Sequence, residues 1–299
     1  MSKNINPEIL FRIAWHEKFI NKDGFQKKPF GRYLQSLNPT MVQLWQGYQT
    51  INVAIDYSLK ETQYCYALRY LNLYYKHSCS LLEKSFEILD VNEELTAFFY
   101  GCGPSAEIVS FLEVLKNKNL KNLKKIRIFM IDKFFEEWKY GKRLFYDYKR
   151  YELKEYFENI DIVIDSKYFP NADFSNQLYG LKDGGIDLFY FQNCLNEIGD
   201  LDDFPNRLLK NIKNYGLETS LLVITDRKGY ENIDNCINKL KTEKKECVYF
   251  HSSHTTTKQS FNDIPQLLHD NIWIKQSGLW PSLKMYSTDL ILKTPQNTV

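Results

Sequence analysis

Apolar residues along the chain keep two different rhythms, and the change falls near residue 93. Before it, Met41, Leu44, Trp45 and Tyr48 recur at helical spacing behind Pro39-Thr40. A second helical stretch runs from Glu61 to about Leu89, with Tyr64, Leu68, Leu71, Tyr75, Leu82 and Phe86 as inward positions and Ser58 or Thr62 placed to cap its start. From residue 95 short apolar runs alternate with segments of helical period. The pattern predicts strands over 95–100, 126–131, 160–164, 186–192, 219–225, 246–250 and 283–293, with helices over 104–117, 134–158, 202–214 and 230–243. Apolar strands separated by helices imply an α/β fold whose mostly parallel sheet is covered on both faces. Two domains are expected, a helical aromatic-rich cap over 1–92 and a sheet domain over 93–299. The polar region 251–282, which contains His251 and His254, is expected to loop out before the last strand.

Composition narrows the class of protein. A chain of 299 residues can bury a sizeable core, and 21 Tyr with 20 Phe point to ring-filled contacts or an aromatic pocket. A formal net charge of +2 removes the simplest argument for a nucleic-acid binder. The six cysteines (Cys65, Cys79, Cys102, Cys194, Cys236 and Cys247) show no C-x-x-C pairing, so reduced thiols in a cytoplasmic compartment are expected. No run is long and apolar enough to predict a membrane span.

In an open parallel sheet, ligands bind outside the C-terminal ends of the strands. The residues just after each predicted strand therefore carry the candidate chemistry. After the first strand come Gly101-Cys102-Gly103, which suit a sharp turn with a ligand lying against main-chain N–H groups, and Pro104, which suits a first helical turn. Asp132 ends the second, where a carboxylate can accept both hydroxyls of a ribose. Asp165-Ser166 follow the third, placed to meet a base edge, and Gln192-Asn193-Cys194-Leu195-Asn196-Glu197 follow the fourth as a dense polar cluster. Asp226-Arg227 follow the fifth. Each has a purely structural counterpart: the glycines serve the turn, Asp132 caps a strand end, and Asn193, Asn196 and Glu197 cap a helix starting near Leu201. His251 and His254 lack a third ligand, so no metal site is expected.

With these residues the chain resembles the class I S-adenosylmethionine-dependent methyltransferases over about residues 93 to 293. Gly101 and Gly103 match the family's first-strand motif, Asp132 its ribose-binding acid, and Ile186 to Ile198 its fourth motif. Two positions depart from the pattern: Phe99 stands where the first-motif acid belongs, and Ser105 replaces the third glycine. There is no Asn/Asp-Pro-Pro-aromatic tetrad, so exocyclic-amine methylation of DNA bases is not implied. The resemblance implies a seven-stranded, mostly parallel Rossmann-like sheet, with strand 95–100 central, strand 283–293 antiparallel and the N-terminal helical cap over its crevice. It implies S-adenosylmethionine as cofactor, held by Tyr100, Gly101, Gly103, Asp132, Asp165, Ser166 and Gln192. Asn193 and Glu197 become the catalytic candidates, with Asp226 as a second candidate base. The cap's rings, among them Trp15, Trp45, Tyr48, Tyr64 and Tyr75, are expected to help form the acceptor pocket. A small-molecule acceptor stands ahead of RNA, which would use the lysines of 116–125 and the helix carrying Lys139 to Lys154. Two other readings stay open. Phe99 and Ser105 suit a non-catalytic binding or assembly protein that keeps the fold, and Gly101 to Ala106 approach the G-x-G-x-x-G/A of an NAD-dependent oxidoreductase, although Asp132 lies beyond the usual ~20-residue spacing.

Overall fold

The computed structural model describes residues 3–47, 55–120, 122–132, 136–152, 154–168, 185–195, 203–271 and 284–293. Ahead of the sheet lie α1 (Asn6–His16), a small hairpin of β1 (Ile20–Asn21) and β2 (Gly24–Phe25), α2 (Lys27–Ser36), α3 (Asn38–Gly47), α4 (Lys60–Tyr66) and α5 (Asn72–Ser85). A π-helical turn over Ala67–Leu71 joins α4 to α5, so the helical period read from Glu61 to Leu89 is one rod with a locally widened turn.

The sheet elements follow as β3 (Glu94–Tyr100), α6 (Ala106–Lys118), β4 (Lys125–Asp132), α7 (Lys139–Glu152), β5 (Asp161–Tyr168) and β6 (Ile186–Gln192). The chain continues through α8 (Phe204–Tyr215), β7 (Gly216–Arg227), α9 (Glu231–Glu243), β8 (Val248–Lys258), α10 (Gln266–Asn271) and β9 (Lys284–Lys293). Seven strands form one sheet in the order β5-β4-β3-β6-β7-β9-β8. The pairs β4–β5, β3–β4, β3–β6 and β6–β7 are parallel, and β9 runs antiparallel to both of its neighbours. The mostly parallel α/β sheet is thus the one the sequence predicts. Strand β3 is interior, one place from the middle, which β6 occupies.

One expectation fails. The region 251–282 was expected to loop out, yet 251–258 continues β8 as an edge strand paired with β9. Its residues are mostly half-exposed, and threonine-rich polar strands are what sheet edges tolerate. A hydrophobic pattern cannot register such a strand.

Side chains alternate between two cores. Phe98, Phe129, Ile131, Phe189, Phe191, Leu222 and Ile224 pack on one face with α8 and α9. Leu95, Ala97, Phe99, Ile126, Ile128, Met130, Leu188, Tyr190, Leu221 and Val223 pack on the other. Strands buried on both faces read as unbroken apolar runs, which is why Phe98-Phe99 and Leu188 to Phe191 stand out in the sequence. The second core also takes in residues from Ile5 to Leu89, so the N-terminal helices and the sheet share one apolar interior. Helix α5 lies on this face beside α6. Its buried His77 contacts Asp289 Oδ1 at 3.0 Å and Thr225 Oγ1 at 2.9 Å through Nε2, and Thr257 Oγ1 at 2.8 Å through Nδ1. Among the described residues, no helix is long and apolar enough to cross a membrane.

Candidate functional site

Chain connectivity reverses direction between β3 and β6: β4 and β5 are added on one side, β6 and β7 on the other. A crevice opens outside the C-terminal ends of strands at such a switch point. The glycine turn sits there. Gly101 donates its N–H to Ile131 O at 2.7 Å, which ties the turn to the end of β4. Gly101, Gly103 and Ser105 all have left-handed φ, of +66°, +38° and +70°. At Gly101 a Cβ would lie 2.3 Å from Cys194 Cβ, so the loop after β6 also requires a glycine there. Ser105 holds the left-handed conformation without being glycine, at a cost of about 1–2 kcal/mol, and its buried Oγ has no hydrogen-bond partner.

Asp132 is the last residue of β4, and its Oδ2 accepts the Gly103 N–H at 2.8 Å. It is only 7% exposed, so it is a buried brace of the turn rather than a solvated strand end. Beside it lies Glu107, in the first turn of α6 and 5% exposed. Its Oε1 has no partner, and burial, reinforced by the charge of Asp132, holds its carboxyl well above the usual range. Burial likewise pushes the Cys102 thiol well up, with Asp132 and Glu107 adding to it, and pushes the Lys142 ammonium down. Sequence reasoning missed Glu107 and Lys142. The signal for Glu107 was present: α6 begins Ala-Glu-Ile-Val-Ser-Phe-Leu, and a helix apolar on every side buries whatever polar residue it carries.

At the end of β6, Gln192 is locked between the sheet and α5. Its Oε1 accepts Ser78 Oγ–H at 2.7 Å, and its Nε2 donates to Tyr74 O at 3.3 Å. Asn193 adopts a left-handed φ of +51° and donates its main-chain N–H to Thr225 O at 2.9 Å. Its side-chain Oδ1 and Nδ2 are shielded from solvent and have no partner. Asp226 gives both carboxylate oxygens to main-chain donors, Oδ2 to Leu195 N–H at 2.8 Å and Oδ1 to Arg227 N–H at 2.7 Å. Burial pushes its pKa up to about 6 against the pull of those donors. Tyr100 stacks on Phe191 with centroids 5.1 Å apart. Asp165 and Ser166 fall inside β5, opposite Phe129 and Met130, rather than past its end, because the strand runs on to Tyr168. Asn196 and Glu197 lie outside the described residues.

A series of rings crosses this end of the sheet. Trp138 packs against Gly103, with Tyr57 at 4.6 Å and Tyr66 at 5.2 Å between centroids. Tyr66 continues to Tyr70 at 5.3 Å, and Tyr70 stacks on Tyr74 at 5.8 Å and 10°. Arg227 closes the series, donating from Nη2 to Tyr74 Oη at 2.8 Å with its guanidinium 5.2 Å from the Tyr70 ring centroid. Gln63 fixes the Trp138 segment: its Oε1 accepts the N–H groups of Tyr140 and Gly141, both at 2.9 Å, and its Nε2 donates to Tyr57 O and Glu137 O. The rings singled out from sequence lie elsewhere. Tyr64 and Tyr75 are core, Trp15 and Trp45 are on the surface, and Tyr48 lies outside the described residues. Among the described residues no group of three or more His, Cys, Asp or Glu is placed to hold a metal ion, and His254 Nδ1 faces Lys228 Nζ at 2.8 Å instead.

No protein-family model matches the chain. No curated protein matches it either. Solved structures with a similar fold include a Listeria monocytogenes protein provisionally assigned to the class I S-adenosylmethionine-dependent methyltransferases, 10% identical over 100% of this chain and 90% of that one, TM-score 0.46. They also include the O-methyltransferase TomG of Streptomyces achromogenes in complex with S-adenosylmethionine, 8% identical over 86% of this chain and 89% of that one, TM-score 0.37. A third is the rRNA methyltransferase aviRa of Streptomyces viridochromogenes, 10% identical over 73% of this chain and 84% of that one, TM-score 0.37. Likenesses of this degree bear on neither activity nor acceptor. In sheet order and strand sense the chain has a Rossmann-like fold, a mostly parallel α/β sheet with β9 antiparallel to its neighbours.

Proposed function

We propose that this protein is an S-adenosylmethionine-dependent methyltransferase with a small-molecule acceptor. The observation that carries the reading is the contact of Gly103 N–H with Asp132 Oδ2 at the switch point, which joins a glycine turn and a strand-end carboxylate at the mouth of the crevice. The residues present fit the cofactor: the shielded, unpartnered polar atoms of Ser105 and Glu107 would suit a ligand that carries hydroxyl, ammonium and carboxylate groups. Asp132 would take the ribose hydroxyls, and Gly101 and Gly103 would admit the ligand to the main chain beside Tyr100. Gln192 acts by holding α5 against the end of β6.

When bound, the cofactor's sulfonium supplies an activated methyl group. The chain's contribution is alignment and exclusion of water. Asn193 would orient the acceptor through its amide, and Glu197 would take a proton from an acceptor that carries one. Asp226 is less suited to that task, since both its oxygens already hold loop amides. A small, flat acceptor suits the buried rings from Trp138 to Tyr74. RNA is less favoured because Lys142 is buried on α7 and Lys124 is paired with Glu93 at 2.6 Å. Calorimetric titration with S-adenosylmethionine, S-adenosylhomocysteine and NAD tests the reading. Binding of the first two and not of NAD is expected. Binding of NAD alone would replace it with the oxidoreductase.

A second reading, a non-catalytic assembly protein, draws on how fully Asp132, Gln192 and Asp226 are engaged by other parts of the chain. Cofactor binding without methyl transfer to any small-molecule or RNA fraction of a cell extract would favour it.

A further inference from the structure

We infer that Glu107 is the cofactor's ammonium receptor: its unpartnered Oε1, beside Ser105 and Asp132, accepts from the α-ammonium of S-adenosylmethionine. The inference rests on the methyltransferase reading and assigns one end of its ligand. The side chain is 95% shielded, 5% being exposed, and one of its oxygens has no donor. A buried polar atom left without a partner costs about 1–3 kcal/mol, so it calls for an explanation beyond packing. A second orphan, the Oγ of Ser105, sits two residues earlier on the same turn, itself in a strained left-handed conformation. Two shielded acceptors at the start of α6 ask for a ligand group rich in donors, and an ammonium carries three.

Charge points the same way. The titratable groups that act on Glu107 or feel it are Asp132 of β4, Cys102 of the turn and Tyr190 of β6, all acidic. Lys142 of α7 acts on Asp132 and Cys102, and its own burial disfavours its charge. Acidic groups thus outnumber Lys142 around Glu107, a setting that a ligand ammonium suits. The first-motif position offers no alternative acid. Phe99 is fully buried there, its ring 5.3 Å from Phe111 and 5.7 Å from Tyr190.

The test compares S-adenosylhomocysteine with 5′-methylthioadenosine, which has the nucleoside and thioether but no amino-acid end. In Glu107→Gln the affinity for S-adenosylhomocysteine should fall about tenfold or more, while that for 5′-methylthioadenosine stays unchanged. Binding of S-adenosylhomocysteine to the unaltered protein should release a proton, read from the dependence of its heat on buffer ionisation, and the variant should release none. The ligand-free variant should melt no lower than wild type, since it no longer carries an acid in an acidic surrounding. Glu107→Met, close in volume, repeats the test if the amide variant folds poorly. Unchanged affinity for S-adenosylhomocysteine in a folded variant overturns the inference, and so does equal weakening for both ligands. A wild-type protein that binds neither ligand overturns the methyltransferase reading and this inference with it.

Discussion

The Gly103 N–H lies 2.8 Å from Asp132 Oδ2, so the residue best placed to hold a ribose also braces the turn the ligand must approach. The two roles separate by substitution. Asp132→Ala leaves a buried donor unpaired and should cost about 1–3 kcal/mol of stability as well as at least tenfold in S-adenosylhomocysteine affinity. Asp132→Asn keeps an acceptor for Gly103, and should recover most of the melting temperature but not the affinity, because a neutral amide accepts less strongly than a carboxylate. Unchanged affinity in either variant would make Asp132 a brace alone.

The two glycines of the turn should respond unequally to alanine. At Gly101 the new Cβ would meet Cys194 Cβ at 2.3 Å with φ at +66°, whereas at Gly103 the nearest atoms, of Trp138, are at an ordinary 3.5 Å with φ at +38°. Gly103→Ala should therefore cost about 1–2 kcal/mol, the left-handed penalty alone, and Gly101→Ala distinctly more. Adding Cys194→Gly removes the clash but not the φ strain. The double variant should then be more stable than Gly101→Ala, a coupling readable by denaturant unfolding. Strictly additive effects would show that the loop after β6 moves aside freely.

Asn193 combines a left-handed main chain with a shielded, unpartnered amide, and glycine distinguishes the two. Asn193→Gly satisfies the φ of +51° at no steric cost and deletes the amide. Its melting temperature should be close to wild type and its S-adenosylhomocysteine affinity unchanged, while methyl transfer from labelled S-adenosylmethionine to the small-molecule fraction of a cell extract should fall at least tenfold. Full transfer by Asn193→Gly would reduce Asn193 to a turn residue.

What was legible in the sequence follows from what burial does to a pattern. Strands β3, β4 and β6 are apolar on both faces, so they appear as unbroken runs, and the polar residues that end them mark the crevice. The start of β8 falls in the run predicted over 246–250, but its continuation over 251–258 is a half-exposed edge rich in His, Ser and Thr, and only its pairing with β9 reveals it. The engagement of Asp226 with Leu195 joins residues 31 apart in the chain, and that of Gln192 with Ser78 spans 114. No local pattern carries such contacts, so Asp226 looked available as a base when its oxygens were already committed. The ring series misled in a similar way. Tyr66, Tyr70 and Tyr74 recur every four residues, Tyr64, Leu68, Leu71 and Tyr75 every three or four, and only the packing shows which stripe meets Trp138.

The share of stability that depends on Asp187 should fall as pH rises through the acid range. This residue lies in β6 and accepts the Thr96 N–H of β3 through Oδ2 at 2.7 Å. Burial lifts its pKa from 3.8 to about 6, against the pull of that N–H. A carboxyl with a raised folded-state pKa binds its proton more tightly in the folded protein. Its contribution is thus fully present below pH 3.8 and lost as pH rises through about 6. A shift of this size corresponds to roughly 3 kcal/mol between the two ends of the window. Asp187→Asn cannot ionise yet still offers an oxygen to Thr96. Its unfolding free energy should match wild type near pH 4 and exceed it by about 2–3 kcal/mol near pH 7.5, the weaker neutral hydrogen bond taking back the remainder. Subtracting the two pH profiles cancels every other titrating group, Asp226 included. A difference that stays flat from pH 4 to 7.5 would mean that Asp187 ionises in the folded protein as easily as in the unfolded chain, and that the β3–β6 contact is open to water.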